Sequence, residues 1–247
     1  MDASRYMVRR VLIQILSTLT LVTLSVGVSA TENADPWESM NRKTYAFNEF
    51  IDSCCLKPVA KGYRAVTPDF LEDGFSNFFG NATEVLTIVN DLAQGKFVQG
   101  GQDTLRFIVN STVGIAGFID IGSRIGLEEH DEDFGQTLAV WGVGEGPFVM
   151  LPLFGPKTLL GSATLYPDSA LTMLNTIDKE SVKYTLGGLG IVSLRASLLD
   201  IEKLAAGDRY TFIRDAYLQR RAFLVSDGQL SDEELFEGDD DFDDEDF

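Results

Sequence analysis

Helical periodicity runs through almost the whole chain between residues 35 and 224, and it limits the fold more than any other feature. Apolar side chains recur at three- and four-residue spacing, and glycines such as Gly95 and Gly207 break the pattern. No stretch alternates apolar and polar residues over the length expected of a long strand. For a chain of 247 residues, this predicts a mainly α fold with a single domain.

Two proline-containing signals mark the starts of helices. Asp35-Pro36-Trp37-Glu38 places an acid at the N-cap, proline at the first helical position and Glu at the third, and so predicts a helix running towards Asp52. Thr67-Pro68 starts a second helix. Further helices are expected over 84–92, 97–109, 181–204 and 209–224.

The second helix carries an aromatic-rich stripe along about half of its surface. Its members are Phe70, Leu71, Gly74, Phe75, Phe78 and Phe79. Polar residues such as Asp69, Glu72 and Asp73 fill the rest of the helical wheel. A stripe of this kind occurs both on core-facing helices and on helices that lie flat at a lipid boundary. The residues alone leave both interpretations open.

The N-terminus has the pattern of a secretory signal peptide. Arginines at 5, 9 and 10 precede an uncharged, mostly apolar run from Val11 to Val28, and Val28-Ser29-Ala30 then fits a small-residue cleavage site. We expect cleavage after Ala30, so that residues 1–30 are removed. An uncleaved membrane anchor is the alternative, because the run is near the lower limit for a span. No cysteine follows closely, so a lipid-modified N-terminus is not expected.

The chain is strongly acidic, with 38 Asp and Glu against 20 Lys and Arg, a formal net charge of −18. This excess argues against a nucleic-acid partner, because nucleic-acid binding depends on neutralising phosphates. Most of the acidity lies near the C-terminus, where residues 229–247 are predicted to be an acidic disordered tail. The tail is either solubilising or a docking segment for a basic partner. The predicted helical domain therefore covers residues 31–228.

The segment from Gly135 to Tyr166 is apolar, yet glycine or proline interrupts it every few residues. It therefore cannot be a simple transmembrane helix. Irregular apolar backbone is tolerated at membrane depth only where protein or a water-filled cavity covers it. In a soluble protein the same segment would be a buried connection.

The sequence shows no active site and predicts neither a cofactor nor a metal centre. It lacks a Gly-x-Ser-x-Gly turn, and its glycine-rich stretches lack the spacing of a phosphate-binding loop. His130 lies among acidic residues and is expected to be a solvated loop histidine rather than a catalytic base. Cys54 and Cys55 are adjacent and are expected to be small buried hydrophobes.

Several separate blocks between Asp35 and Gly228 resemble one known family, the MlaA (VacJ) family of Gram-negative bacteria. The blocks are Asp35-Pro36-Trp37-Glu38-Ser39-Met40-Asn41-Arg42, Phe47-Asn48, Lys57-Pro58-Val59-Ala60, Asn77-Phe78-Phe79-Gly80-Asn81, Arg106-Phe107-Ile108-Val109-Asn110-Ser111-Thr112-Val113-Gly114, Gly117-Phe118-Ile119-Asp120, Asp133-Phe134-Gly135-Gln136-Thr137-Leu138, Gly142-Val143-Gly144-Glu145-Gly146-Pro147-Phe148, Leu151-Pro152-Leu153-Phe154-Gly155-Pro156 and Arg214-Asp215-Ala216-Tyr217-Leu218-Gln219-Arg220-Arg221.

The resemblance implies a non-enzymatic, ring-like assembly of amphipathic helices in the periplasmic leaflet of the outer membrane. Its central channel would carry mislocalised phospholipid out of the outer leaflet and so maintain lipid asymmetry. The implied partners are phospholipid, a trimeric outer-membrane porin and a soluble periplasmic lipid carrier. Without the family's lipid-modified cysteine, we expect anchoring through the amphipathic helices and the porin. The membrane-facing residues would then be Phe70, Leu71, Phe75, Phe78 and Phe79.

Two segments are expected to line the lipid path. The resemblance places Phe47 and Asn48 on the inner helix of the ring. Prolines and a glycine hold apolar side chains on non-helical backbone in the second segment, which comprises Leu151, Pro152, Leu153, Phe154, Gly155 and Pro156. The alternative for Phe47 is an ordinary core position. Rival functions are a soluble periplasmic lipid-binding protein, a structural protein that organises porins, and a phospholipase.

Overall fold

The computed structural model describes residues 34–204 and 207–228. The predicted signal peptide over 1–30 and acidic tail over 229–247 lie outside the described residues. The elements, in chain order, are α1 (Glu38–Ile51), a π-helical turn (Asp52–Leu56), α2 (Lys57–Val66), α3 (Asp69–Gln94), α4 (Phe97–Thr112), α5 (Ile121–Arg124), α6 (Phe134–Val140), β1 (Phe148–Leu151), β2 (Gly155–Thr158), α7 (Leu159–Leu171), a 3₁₀ turn (Met173–Thr176), α8 (Glu180–Ser197), a second 3₁₀ turn (Ile201–Leu204) and α9 (Arg209–Val225).

The prediction of a mainly α, single-domain fold is confirmed, with adjustments at element boundaries. The first helix begins at Glu38, two residues later than predicted, because Trp37 and not Asp35 occupies the N-cap position. Thr67-Pro68 does precede a helix, but that helix continues to Gln94 and includes the stretch 84–92 that was expected to be separate. Asn81 lies where a break between two helices was expected. It is buried, and its side chain donates to Ser111 Oγ at 2.9 Å.

The glycine- and proline-rich segment is more regular than predicted. It contains α6 and a two-stranded antiparallel hairpin in which Phe148 pairs with Thr158 and Leu151 pairs with Gly155. Pro152, Leu153 and Phe154 form the tip. Alternation of buried and half-buried residues along β1 shows that one face of the hairpin packs inward.

Two small apolar clusters hold the ends of the fold together. Ala60 of α2 packs against Ala196 and Leu199 at the end of α8. Phe148 and Met150 of β1 pack against Tyr210 of α9, with the Phe148 and Tyr210 rings 6.3 Å apart edge to face. The hairpin is therefore fixed to the last helix by aromatic packing at its base.

Elsewhere the burial pattern is inverted relative to that of a water-soluble helical protein. Buried polar and charged side chains outnumber buried hydrophobic ones in the described part of the chain, while many large apolar side chains are exposed. Helix α4 illustrates the point: Asp103, Arg106 and Asn110 are buried, whereas Val98 and Ile108 are exposed. In water the exposed apolar side chains would forgo the free energy of burial, and the buried polar side chains depend on hydrogen-bond partners to offset their desolvation.

Candidate functional site

Asparagine side chains on α1 hold the hairpin along its β1 edge. Asn41 is fully buried; its Nδ2 donates to the Phe148 carbonyl at 3.2 Å, and its Oδ1 accepts from the Met150 amide at 2.9 Å. An asparagine amide presents an NH₂ donor group and a carbonyl acceptor side by side, so it can pair with a strand as a neighbouring backbone would.

Asn48 repeats this arrangement one step further along, at the hairpin tip. Its Nδ2 donates to the Leu151 carbonyl at 2.9 Å, and its Oδ1 accepts from the Leu153 amide at 2.8 Å. Asn41 and Asn48 are seven residues apart, which puts them on the same face of α1. The structure thus brings together the two segments that were predicted to form the lipid path.

The hairpin tip presents apolar side chains to the outside. Leu153 is 70% exposed and Phe154 is 69% exposed, and Phe47 on α1 is 48% exposed. Leu153 also has a positive φ of 65°, a conformation that costs free energy for a branched side chain. The tip is therefore an exposed apolar projection held in a strained conformation by Asn48.

Four further residues of the segment 151–156 were predicted to line the lipid path, and they differ in exposure. Pro152 is exposed at the tip, while Leu151, Gly155 and Pro156 are half-buried in the two strands. Because Phe47 is half-exposed, it is not an ordinary core residue. Whether these residues line a lipid path stays a prediction.

A buried carboxylate joins the start of α1 to α9. Asp35 accepts from Asn41 Nδ2 at 2.7 Å and from the Tyr210 hydroxyl. Burial and this hydrogen bond raise the pKa of Tyr210, so the phenol stays protonated and keeps donating. The Arg214 guanidinium lies 3.9 Å from the carboxylate. The arrangement fixes the end of α1 that carries Asn41.

Arg221 of α9 holds the segment that leads into the hairpin. This buried guanidinium donates to Asp133 Oδ1 at 3.1 Å and to Glu145 Oε1 at 3.0 Å. Asp133 also caps α6 by accepting from the Gln136 amide at 2.7 Å. Burial opposes ionisation, but the hydrogen bond and charge of Arg221, the Gln136 amide and the charge of Lys157 together outweigh it and lower the pKa of Asp133.

A second network fills the space between α3, α4 and the loop that follows them. Arg106, which is buried, donates to Asp120 at 3.0 Å, to Glu129 at 3.2 Å and to the Leu127 carbonyl at 3.1 Å. Its Nε lies 3.8 Å from Glu84 Oε1. One guanidinium therefore faces three carboxylates, and burial together with nearby Asp103 raises the pKa of Glu84 to about 7.

A pair of carboxyl groups lies further along the same helices. Asp91 and Asp103 are both fully buried, and neither oxygen of Asp91 accepts a hydrogen bond from any described residue. Burial and the neighbouring Asp103 raise the pKa of Asp91 far above its usual range. Asp103 contacts His130 Nδ1 at 2.9 Å. His130 lies in a loop, as predicted, but it is half-buried and held by Asp103, so the expectation of a solvated side chain was wrong.

A polar cavity of about 410 Å³ adjoins this network. It is lined by Gly80, Thr83, Glu84, Thr87, Glu129, His130, Asp131 and Arg220. Its walls combine carboxylates with a guanidinium and hydroxyl groups. Such walls can hydrogen-bond a group that carries charge of both signs.

The aromatic stripe on α3 is only partly available to lipid. Phe70 is exposed. Phe75 packs edge to face on Phe118 at 5.6 Å, and Phe78 packs on Phe79 at 5.2 Å. The other members Leu71, Phe75, Phe78 and Phe79 are half-buried. The assignment of this stripe to the membrane boundary stays a prediction, and Phe70 is its most exposed member.

The cysteine pair lies on the surface, contrary to the sequence-based expectation of burial. Cys54 and Cys55 are both exposed, with sulfur atoms 2.8 Å apart. They lie in the π-helical turn, whose wider backbone turns both side chains outward. The sequence contained no signal for this turn.

No helix in residues 34–204 and 207–228 combines the length and apolar character needed to cross a bilayer. Within those residues no group of His, Cys, Asp and Glu side chains could hold a metal ion. What the described geometry offers is an apolar exterior, a strained apolar tip and a polar interior. These features suit binding and passage of an amphipathic molecule.

The chain is similar to known proteins of one family. The family model described as MlaA lipoprotein matches residues 33–224. The chain is 35% identical over 228 residues to "Intermembrane phospholipid transport system lipoprotein MlaA" of Escherichia coli, covering 88% of this chain and 89% of that protein. It is 32% identical over 214 residues to the Haemophilus influenzae protein of the same name, covering 81% and 82%.

A solved structure has the same fold. It was described under "Structural basis for maintenance of bacterial outer membrane lipid asymmetry", and it matches with a TM-score of 0.67 and 33% sequence identity. The match covers 77% of this chain and 98% of that chain.

Proposed function

The chain belongs to the MlaA lipoprotein family, and on that premise we propose that it moves phospholipid out of the outer leaflet of the outer membrane without chemical change. The phospholipid would pass to a soluble periplasmic carrier, and the transfer would maintain lipid asymmetry. Relatives of this chain are named for an intermembrane phospholipid transport system.

The observation that carries the proposal is the inverted burial pattern. A helix such as α4, with Asp103, Arg106 and Asn110 inside and Val98 and Ile108 outside, is matched to lipid on its outer face. The polar interior then offers hydrogen-bond partners to a headgroup that must leave water. A soluble periplasmic lipid-binding protein would instead expose its polar face.

Retention at the membrane would come from the apolar exterior and from a porin partner. The relatives are named lipoproteins, whereas the two cysteines of this chain, Cys54 and Cys55, lie within a helical turn. A single amphipathic face gives reversible binding, so a second contact is required for stable anchoring. We assign that contact to a trimeric outer-membrane porin. Recovery of the mature chain in the soluble periplasmic fraction of porin-containing cells would contradict this assignment.

Lipid exposure in cells tests the proposed activity. Cells lacking the chain should show more phosphatidylethanolamine reactive to a membrane-impermeant amine reagent, and the wild-type chain should restore the lower level. Thr83→Trp should restore it poorly, because Thr83 lines the polar cavity and a bulky ring there would fill it. Thr185→Trp, at an exposed position on α8, is the matched control. Equal labelling with and without the chain would refute the proposed transport.

Photo-crosslinking tests the lipid contacts directly. Crosslinking residues at 47 and 153 should capture phospholipid, because Leu153 is exposed at the hairpin tip and Phe47 is exposed beside Asn48, which binds that tip. A crosslinker at 73, on the exposed acidic side of α3, should capture little. Equal capture at all three positions would remove the basis for placing the lipid path at the tip.

A further inference from the structure

A groove of about 500 Å³ opens between α2 and the second 3₁₀ turn. Five basic side chains line it: Lys57, Lys61, Arg64, Lys203 and Arg209. Two acids, Asp200 and Glu202, also line it, so its walls carry an excess of three positive charges. The charge of the groove is therefore opposite in sign to the formal net charge of the whole chain, which is −18.

The two acids in the groove are already fully engaged. Glu202 accepts from Lys57 and Arg209 at 2.6 Å each, and from Arg195 at 2.7 Å. Asp200 accepts from Lys203 at 2.7 Å and from Arg64. Lys61 is exposed and forms no ion pair within the described ranges. The groove therefore retains cationic donors for an additional anion.

The helix that supplies three of the bases is amphipathic in a particular way. Lys57, Lys61 and Arg64 follow one another at spacings of four and three residues, so they share one face of α2. Val59 and Val66 lie on the opposite face and are 55% and 81% exposed. A helix with basic side chains on one face and exposed apolar side chains on the other is typical of helices at the headgroup level of a membrane.

We infer that this groove binds the phosphate of a phospholipid headgroup, with Lys61 as the exposed donor and Arg64 and Lys203 beside it. The inference rests on the proposed function and adds a headgroup contact to it. Ammonium and guanidinium groups donate charge-assisted hydrogen bonds to phosphate oxygens. Because the groove has excess positive charge, anionic phosphatidylglycerol binds more tightly there than zwitterionic phosphatidylethanolamine.

Charge reversal of Lys61 provides the test. Lys61→Glu breaks no ion pair among the described residues, so folding is preserved, and Lys61→Gln removes the charge without reversing it. Lys179→Glu is the matched control, because it makes the same change in net charge beside the other end of α8, about 27 Å away along the helix. Retention of phosphatidylglycerol by the detergent-solubilised full chain is measured by native mass spectrometry, with phosphatidylethanolamine and inorganic phosphate as separate arms.

We expect wild type and Lys179→Glu to retain phosphatidylglycerol equally, and Lys61→Glu to bind it about tenfold more weakly. Lys61→Gln should lie between them. Equal weakening in both glutamate variants would show only a bulk charge effect and overturn the inference. Displacement of the lipid by millimolar inorganic phosphate would identify a free-phosphate site instead. Binding that appears only after deletion of residues 231–247 would show that the acidic C-terminal segment occupies the groove.

The lipid-exposure assay in cells separates this inference from the proposed function. If the wild-type chain lowers phosphatidylethanolamine labelling while the Lys61 variants bind phosphatidylglycerol as wild type does, the groove assignment alone is wrong. If cells with and without the chain are labelled equally, the proposed function is wrong.

Discussion

The Leu153 amide donates a 2.8 Å hydrogen bond to the side-chain oxygen of Asn48, which precedes it by 105 residues. The same asparagine donates to the Leu151 carbonyl. One side chain on α1 thus sets the conformation of the hairpin tip, where the exposed apolar residues lie. This relationship gives the first two predictions.

Asn48→Ala should loosen the tip without unfolding the domain. It removes two hydrogen bonds, with an expected loss of roughly 1–3 kcal/mol in local stability. Hydrogen exchange of the Leu153 amide should accelerate by about tenfold or more. Asn175→Ala, at an exposed position outside the hairpin, should leave that exchange rate unchanged. Unaltered protection of Leu153 in Asn48→Ala would show that other contacts hold the tip.

Leu153→Gly should leave the folded state as stable as wild type or stabilise it by up to about 1 kcal/mol. A φ of 65° costs conformational free energy for leucine, whereas glycine adopts that conformation without this cost. Leu105→Gly, at an exposed position inside α4, should instead destabilise by about 1 kcal/mol. Thermal unfolding of both variants checks the contrast. Similar destabilisation by both would mean that Leu153 contributes packing that outweighs its strain.

Asp91→Asn should weaken the dependence of stability on pH. Burial and Asp103 raise the pKa of Asp91 in the folded state above its unfolded value. Such a group stabilises the folded state fully below its unfolded pKa, and the stabilisation is lost as pH rises through the folded pKa. Between about pH 5 and about pH 8, wild type should therefore lose roughly 1–3 kcal/mol more than the variant.

Denaturant unfolding at both pH values measures this difference. Asp73→Asn, which changes an exposed carboxylate on the same helix, is the control and should follow wild type. If Asp91→Asn lost as much stability between these pH values as wild type does, the group responsible for the pH dependence would have to be a residue other than Asp91.

Gly74→Ala should destabilise the domain by roughly 1–3 kcal/mol. A Cβ added at Gly74 would lie 2.1 Å from the Phe118 ring, which also packs against Phe75. Gly62→Ala in α2 meets nothing within 4 Å and should stabilise by about 1 kcal/mol through helix propensity. Opposite shifts of the two melting temperatures are the expected result. A neutral Gly74→Ala would mean that Phe118 moves aside at little cost.

Sequence periodicity was sufficient to predict most helices, because proline and glycine mark their ends and the apolar stripes are long. It was not sufficient to predict which stripe is buried. The usual assumption places the apolar face inside, whereas Asp103 and Arg106 face inward here and Val98 faces outward. Nothing in the sequence of a single helix distinguishes an apolar stripe that packs into the core from one that lies on the outer surface.

The candidate site was predictable in part. Resemblance to a family brought Phe47-Asn48 and the segment 151–156 together as a hypothesis, and the structure places them in contact through Asn48. The sequence did not indicate that Asn41 also hydrogen-bonds the hairpin, because its partners Phe148 and Met150 lie more than a hundred residues away. The groove lined by Lys61 and Lys203 lies between α2 and the second 3₁₀ turn. These elements are far apart in the sequence, and the local sequence pattern does not indicate that they meet.

The π-helical turn between α1 and α2 has a consequence for helical phase. Asn48 and Ala60 both face inward, yet twelve residues of regular α-helix would set them about 120° apart. The wider turn, closed by the Lys57 amide on the Asp52 carbonyl, absorbs one extra residue and reduces the difference to about 20°. Inserting one further residue into 52–56 would bring Val59 to the buried position that Ala60 now fills. Insertions within these five residues are therefore constrained, although both cysteines in the turn are exposed, whereas deleting one residue and restoring regular α-helix would keep Ala60 in phase.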